Sequence, residues 1–181
     1  MRKLIAWNLM SLDGCFEGST PWELGFHEDV WGEELEAFCL EQAEDTGALL
    51  FGRKTWQGMA EYWKTEKGPI ADFMNSVEKF VASRTLHSAD WNNSALLGAD
   101  ITDAVRELKQ RSGKNIYVYG SADLLATLLR DNLVDEMRLC LAPVVLGSGT
   151  PLFKPADNKR SMTLLETRPL KKNGVILRYA L

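Results

Sequence analysis

Two cations directly follow a short apolar run in the segment LLFGRKTW (49–56), where Arg53 and Lys54 come after Gly52. The run predicts a buried strand, and the residues after it predict the start of a helix. Open α/β sheets bind ligands at the carboxyl ends of their parallel strands, and a helix N-terminus attracts anions. Arg53 adds a planar fork of donors and Lys54 a point charge. Because cations are disfavoured at this end of a helix, the pair indicates an anionic ligand rather than two solvated side chains.

Two further strand ends carry small or polar residues. The segment VASRTL (81–86) places Ser83 and Arg84 after an apolar strand, so two strand ends could grip one phosphate together. The segment IYVYGSADLLATLL (116–129) passes from strand to helix through small residues that would let the backbone approach a pyrophosphate closely. The G-x-G-x-x-G spacing of a Rossmann fold is missing, and a tight turn between strand and helix explains the small residues almost equally well.

Strands and helices alternate along most of the chain, which predicts one α/β domain over 1–181 with a largely parallel sheet. The last third changes to strands without helices, with a hairpin at KKNG (171–174), so antiparallel strands should finish one edge. The predicted strands are 3–10, 47–52, 77–83, 115–120, 136–147, 162–170 and 174–181. The predicted helices are 28–45, 53–62, 101–112 and 121–131, and 64–72 is interpreted as a surface excursion.

Composition excludes several classes of function. The net charge of −4 and the absence of a Lys/Arg block argue against a nucleic-acid partner. No apolar run approaches the length of a membrane span. Three scattered cysteines suit reduced thiols in the cytoplasm, where we expect the protein, and two histidines leave no metal-ligand spacing.

Five segments in register resemble the dihydrofolate reductase-like superfamily, and two of them are most similar to its riboflavin-biosynthesis (RibD C-terminal) reductase branch. The segments are SLDG (11–14), FGRKTW (51–56), VASR (81–84), VYGSADLL (118–125) and VDEMRLCLAPVVLGSGTPLF (134–153). The resemblance implies a three-layer α/β/α fold with a mixed sheet, NADPH as cofactor and a homodimer formed through the C-terminal strands.

The resemblance also implies roles for individual residues. The 2′-phosphate and adenosine end of NADPH would be held by Arg53, Lys54, Thr55, Ser83 and Arg84. The pyrophosphate would lie along Gly120, Ser121 and Ala122, where the family usually has Gly-Gly in place of Gly120-Ser121. Asn8 would approach the nicotinamide, and residues 13–16 would form a loop closing over it.

Hydride transfer to a C=N bond requires a proton for the nitrogen. In the carboxylate-rich segment 20–45, a helical stripe formed by Trp31, Leu35, Phe38, Cys39 and Gln42 is continued at its start by Glu28 alone. Glu28 is therefore the predicted acid, and the resemblance agrees, because dihydrofolate reductases have Pro-Trp and then an acid here. An acidic residue favoured by the helix dipole explains Glu28 almost as well. His27 is a weaker candidate that we expect to be exposed.

Two differences from the dihydrofolate reductase pattern guide the prediction of the substrate. Cys140 stands where dihydrofolate reductases have a threonine supporting the acid, and no arginine lies near Val77 to hold a folate tail, although Lys79 is close. The first prediction is thus an NADPH-dependent reductase of the 5-amino-6-(5-phosphoribosylamino)uracil type. A dihydrofolate or other pterin reductase and a non-catalytic NADPH-binding protein are the alternatives. The loop 147–150 could contact a ligand or could simply be a turn.

Overall fold

The computed structural model describes residues 1–98, 100–156 and 159–181. The strands are β1 Leu4–Met10, β2 Cys15–Glu17, β3 Thr46–Gly52, β4 Glu78–Ala82, β5 Ser94–Leu96, β6 Asn115–Tyr119, β7 Glu136–Leu141, β8 Thr150–Pro151, β9 Thr163–Pro169 and β10 Val175–Ala180. The helices are α1 Glu33–Asp45, α2 Arg53–Trp63, α3 Pro69–Ser76, α4 Ile101–Gln110 and α5 Ala122–Arg130, with a short 3-10 helix at Gly25–Asp29.

The sheet is mixed, as predicted. Eight strands lie in the order β5-β4-β3-β6-β1-β7-β10-β9, and β2 pairs with β8 in a separate small sheet. The pairs from β5 across to β7 are parallel, whereas β10 is antiparallel to both β7 and β9. The parallel strands therefore deliver their carboxyl ends to one edge, and the C-terminal hairpin extends the sheet on one side.

Helices cover both faces of the sheet, because the central strands are apolar on both sides. Leu4 and Ala6 of β1 belong to a core shared with α4 and α5, whereas Ile5 and Trp7 belong to a core shared with α1, α2 and α3. The predicted three-layer α/β/α architecture is confirmed.

The predicted helix over 28–45 is two separate elements. The 3-10 helix ends at Asp29, and α1 begins only at Glu33. Between them Val30 is 1% exposed and packs against the backbone of Gly174, where a Cβ would stand 2.5 Å from Val30 Cγ1. This contact with the turn between β9 and β10 interrupts the helical periodicity that the sequence indicated.

Two other boundaries differ from prediction. The excursion 64–72 runs into helix α3, which starts at Pro69 after Gly68 at φ 108° and buries Ala71 and Met74. The predicted strand 136–147 ends at Leu141, shortly before a proline that cannot donate a ladder hydrogen bond. The short strands β2, β5 and β8 were not predicted.

Candidate functional site

A cleft of about 1080 Å³ lies at the carboxyl ends of the parallel strands, where the topology places a ligand. Every residue predicted to hold the cofactor lines it: Asn8, Arg53, Lys54, Thr55, Ser83, Arg84, Gly120, Ser121 and Ala122. These residues come from the ends of β1, β3, β4 and β6. The four strands are neighbours in the sheet, although they are not all consecutive in the sequence. The predicted acid Glu28 is not among the lining residues.

The turn between β6 and α5 is built for close approach of a ligand to the backbone. Gly120 and Ser121 both have left-handed backbones, at φ 60° and φ 59°. A Cβ on Gly120 would stand 3.1 Å from Thr55 Cγ2. The Ser121 hydroxyl accepts the Gly52 N–H at 3.0 Å and is hydrogen-bonded to the Thr55 hydroxyl at 2.6 Å. Ser121 thus uses its side chain to tie the β6–α5 turn to the start of α2.

Two helix N-termini meet at this turn. Neither α2, preceded by Gly52, nor α5, preceded by Ser121, has a side chain capping its first turn. Uncapped N–H groups and the positive dipole end of each helix favour an anion. The two helices therefore present an anion-binding edge to the cleft.

Three cations add to this edge. Arg53 is half-buried, while Lys54 and Arg84 are exposed. None of the three forms an ion pair with another residue in the described part of the chain. Ser83 holds the β4 end in a turn, since its hydroxyl accepts the N–H groups of residues 85 and 86 at 3.2 and 3.0 Å. The cluster suits a phosphate or pyrophosphate.

Asn8 carries an unpaired donor into the cleft. Its Oδ1 accepts the Gly120 N–H at 3.0 Å, which fixes the orientation of the amide. Its Nδ2 is buried and has no hydrogen-bond partner among the described residues. Because a buried amide donor left unpaired is costly, this atom marks a place for a ligand acceptor such as a carboxamide oxygen.

The predicted placement of Glu28 is wrong. The side chain is exposed, and only its backbone carbonyl is engaged, by the Lys172 ammonium at 3.4 Å. Glu28 lies in a 3-10 helix, so the 3.6-residue spacing that aligned it with the buried stripe does not apply. Within that stripe Leu35 and Phe38 are buried as predicted, whereas Trp31 is 38% exposed and lines the cleft.

His27 occupies the cleft instead, and its predicted exposure is wrong. The imidazole is half-buried, and its Nε2 is fully buried without a hydrogen-bond partner in the described residues. Burial lowers the pKa of His27 from 6.5 to about 4, so the ring is neutral near pH 7. It packs edge-on against Phe26 with the ring centroids 4.8 Å apart. The only signal in the sequence was its position in an aromatic-rich segment.

Trp22 reaches across from the same segment to helix α2. A Cβ on Gly58 would overlap the Trp22 indole, so a glycine in mid-helix is needed for this contact. Trp22 has φ 66°, its N–H donates to Glu17 Oε2 at 3.1 Å, and its side chain is 40% exposed at the cleft. The indole therefore forms a fixed wall of the cleft with one face available to a ligand.

The loop 147–150 is held by the β1–β2 turn. Asp13 accepts the Ser11 hydroxyl at 2.6 Å and the Gly147 N–H at 2.8 Å. These bonds lower the pKa of Asp13 to about 2, the Ser11 hydroxyl contributing most. Gly149 lies so close to β2 that a Cβ would stand 2.6 Å from the Glu17 carbonyl oxygen. The loop is thus a structural turn, and only its last residue, Thr150, lines the cleft.

Cys140 and Lys79, the two residues that were compared with the dihydrofolate reductase pattern, are both buried. Cys140 is 0% exposed, and burial raises the pKa of its thiol to about 12. Lys79 is also 0% exposed, donates to the carbonyls of Met74 and Val77 at 2.8 and 2.7 Å, and lies 4.6 Å from the Trp91 ring centroid. Lys79 therefore secures the end of α3 and cannot hold a substrate tail.

Two absences apply to the described residues. Residues 1–98, 100–156 and 159–181 contain no cluster of three or more His, Cys, Asp or Glu side chains able to hold a metal ion. Over the same ranges, no helix has the length and apolar character that crossing a membrane requires.

Two proteins are similar to this chain over most of its length. The Bacillus subtilis (strain 168) protein YyaP is 33% identical over 191 residues, covering 98% of this chain and 94% of its own length. YwjB of the same organism is 39% identical over 171 residues, covering 92% of this chain and 91% of its own.

Solved structures share the fold at lower identity. A putative riboflavin biosynthesis protein from Shewanella sp. PV-4 has a TM-score of 0.83 at 20% identity, covering 98% of both chains. A diaminohydroxyphosphoribosylaminopyrimidine deaminase/5-amino-6-(5-phosphoribosylamino)uracil reductase from Thermotoga maritima has a TM-score of 0.69 at 13% identity. That comparison covers 99% of this chain but only 56% of the Thermotoga chain. The family model of the RibD C-terminal domain matches residues 2–176, and the chain therefore belongs to the RibD C-terminal domain family.

Proposed function

We propose that the protein is an NADPH-dependent oxidoreductase that transfers a hydride to a small heterocyclic acceptor. The observation that carries the proposal is the convergence on one cleft of two uncapped helix N-termini and three cations that have no ion pair among the described residues. A dinucleotide carrying an extra 2′-phosphate is the ligand that needs this many anion-binding groups along one edge.

The residues fit such a cofactor at both ends. Arg53, Lys54 and Arg84 would hold the 2′-phosphate, and Gly120 would let the pyrophosphate lie against the backbone of the β6–α5 turn. The unpaired Asn8 Nδ2 would donate to the carboxamide of the nicotinamide ring. When bound, NADPH would supply the hydride. The chain's own residues would orient it and wall off the acceptor site.

Water is our candidate for the proton source. Glu28 is exposed and does not line the cleft, and the neutral His27 is a poor acid near pH 7. A water molecule in the cleft is then left to supply the proton that the reduced nitrogen of the acceptor needs.

The 5-amino-6-(5-phosphoribosylamino)uracil reductase reaction is the first candidate reaction type, because that activity is attributed to the Thermotoga protein of the same fold. The test is acceptor-dependent oxidation of NADPH, followed by absorbance, with uracil-type and pterin-type acceptors. We expect oxidation with at least one of them. We also expect a loss of about tenfold or more in Asn8→Ala, which removes the carboxamide donor and leaves the Gly120 N–H unpaired. Tight NADPH binding without oxidation by any acceptor would instead support a non-catalytic NADPH-binding protein.

A further inference from the structure

The cleft has two parts of opposite chemical character. The cationic half is formed by Arg53, Lys54, Ser83, Arg84, Gly120, Ser121 and Ala122. The apolar half is formed by Trp22, Leu24, His27, Trp31, Leu35, Met59, Trp63, Ile70 and Phe73. Helix α2 connects the two, since it starts at Arg53 and ends at Trp63, about 15 Å further along its axis. A cofactor phosphate and a substrate would therefore meet different surroundings.

The charged side chains that line the cleft beside the apolar half are acidic, whereas Lys172, whose ammonium lies 3.4 Å from the Glu28 carbonyl oxygen, does not line the cleft. Glu17, which accepts the Trp22 N–H, and Glu61 of α2 line the cleft, and no Lys or Arg belongs to the apolar half in the described parts of the chain. The remaining cation that lines the cleft, Lys154, is ion-paired with Asp123 of α5, close to the cationic half. A phosphate in the apolar half would have to shed water without gaining a cation, next to two carboxylates.

One buried polar atom in the apolar half has no partner among the described residues. His27 Nε2 is fully buried, and no described residue bonds to it. Trp22 and Trp31, which are 40% and 38% exposed, line the same cleft as His27. Aromatic side chains beside a buried, unpartnered nitrogen suit a planar ring that carries a polar edge.

We propose, on the basis of the proposed function, that the acceptor is an uncharged planar heterocycle without a phosphate group, stacked on tryptophan and hydrogen-bonded to His27 Nε2. The heterocycle would be a free base or a nucleoside-type compound. His27 is then a residue that determines specificity for the acceptor. The cations of the cleft would bind the cofactor. The acceptor of this chain would therefore differ from the phosphoribosyl compound in the name of the Thermotoga protein.

The test is binding of three probes to the protein, measured by quenching of tryptophan fluorescence with and without saturating NADPH. The probes are 5-amino-6-(ribosylamino)uracil, its 5′-phosphate and 6,7-dimethylpterin. We expect the unphosphorylated uracil compound to bind about tenfold or more tightly than its phosphate, because the phosphate gains no partner.

Two variants make the assignment specific. His27→Leu should weaken both uncharged probes about tenfold while NADPH binding stays unchanged, because His27 lies outside the cationic half. Leu24→Arg supplies a cation to the apolar half and should shift the preference towards the phosphate.

The two proposals fail separately. Equal or tighter binding of the 5′-phosphate by the wild-type protein would overturn the inference, and so would failure of every probe to bind while NADPH binds. Absence of NADPH binding would overturn the proposed function alone, since the ratio of the two uracil probes is also measured without cofactor.

Discussion

Acidification should destabilise the folded protein through His27. The pKa of the buried imidazole is about 4 in the folded protein and 6.5 ordinarily. Between these values the unfolded chain binds a proton that the folded chain does not, so the free energy of unfolding falls as the pH drops from 6.5 towards 4. The difference of 2.5 pH units (6.5 minus 4), at about 1.4 kcal/mol for each unit, gives a full loss of about 3.5 kcal/mol. This is an upper limit, since the ring is only half-buried.

The assay is urea unfolding at a series of pH values between about 7 and 4, for the wild type, His27→Gln and His87→Gln. Glutamine keeps a hydrogen-bonding side chain without titrating in this range, so the pH dependence of the unfolding free energy should become shallower in His27→Gln. His87 is exposed and is the only other histidine, so its variant should keep the wild-type slope. Identical slopes in all three proteins would refute the burial of His27 and with it the outline of the apolar half.

Three other predictions concern different parts of the molecule. Gly58→Ala should lower stability by about 1–3 kcal/mol because the added methyl group would overlap Trp22. An alanine in mid-helix would otherwise add about 1 kcal/mol of stability. Thermal unfolding would show the loss of stability, and tryptophan fluorescence would show the change at Trp22. Asp13→Asn should loosen the turn at 147–150, seen as faster amide hydrogen exchange there, while unchanged exchange would argue against the Asp13 contacts. The homodimer remains a prediction. Edge strand β9 exposes Leu164 and Leu165 by 53% and 50%. Sedimentation should show a dimer for the wild type and a weaker dimer for Leu164→Lys, because the variant adds a charge to the edge strand.

The anion-binding edge was predictable from the sequence because its signals are local. A strand that ends at Gly52, a following helix and two cations together specify a position at the sheet edge, and parallel topology brings the other strand ends beside it. The same reasoning placed Gly120 and Ser121, although the hydroxyl bond from Ser121 to the start of α2 depends on contacts far apart in sequence.

The apolar half was not predictable because its segment is shaped by tertiary contacts. Val30 packs on Gly174, a contact that interrupts the helix indicated by the apolar spacing, and Trp22 packs on Gly58 of α2. The break turns Glu28 out to solvent and brings His27 into the cleft. Burial of a single histidine leaves no periodic signal, so the sequence favoured the acid that fitted a longer helix.

The choice of NADPH over NADH tests the central claim most directly. Isothermal titration of both nucleotides would be compared among the wild type, Arg53→Ala and Arg106→Ala, the last removing an exposed arginine that pairs with Asp103 on α4, outside the cleft. Loss of a charge-assisted contact costs about 1.5–3 kcal/mol, so Arg53→Ala should weaken NADPH binding about 10- to 100-fold and leave NADH nearly unchanged. The Arg106→Ala protein should match the wild type. Equal affinity of the wild type for both nucleotides, or an Arg53→Ala variant that keeps its preference for NADPH, would contradict the assignment of this edge to the 2′-phosphate.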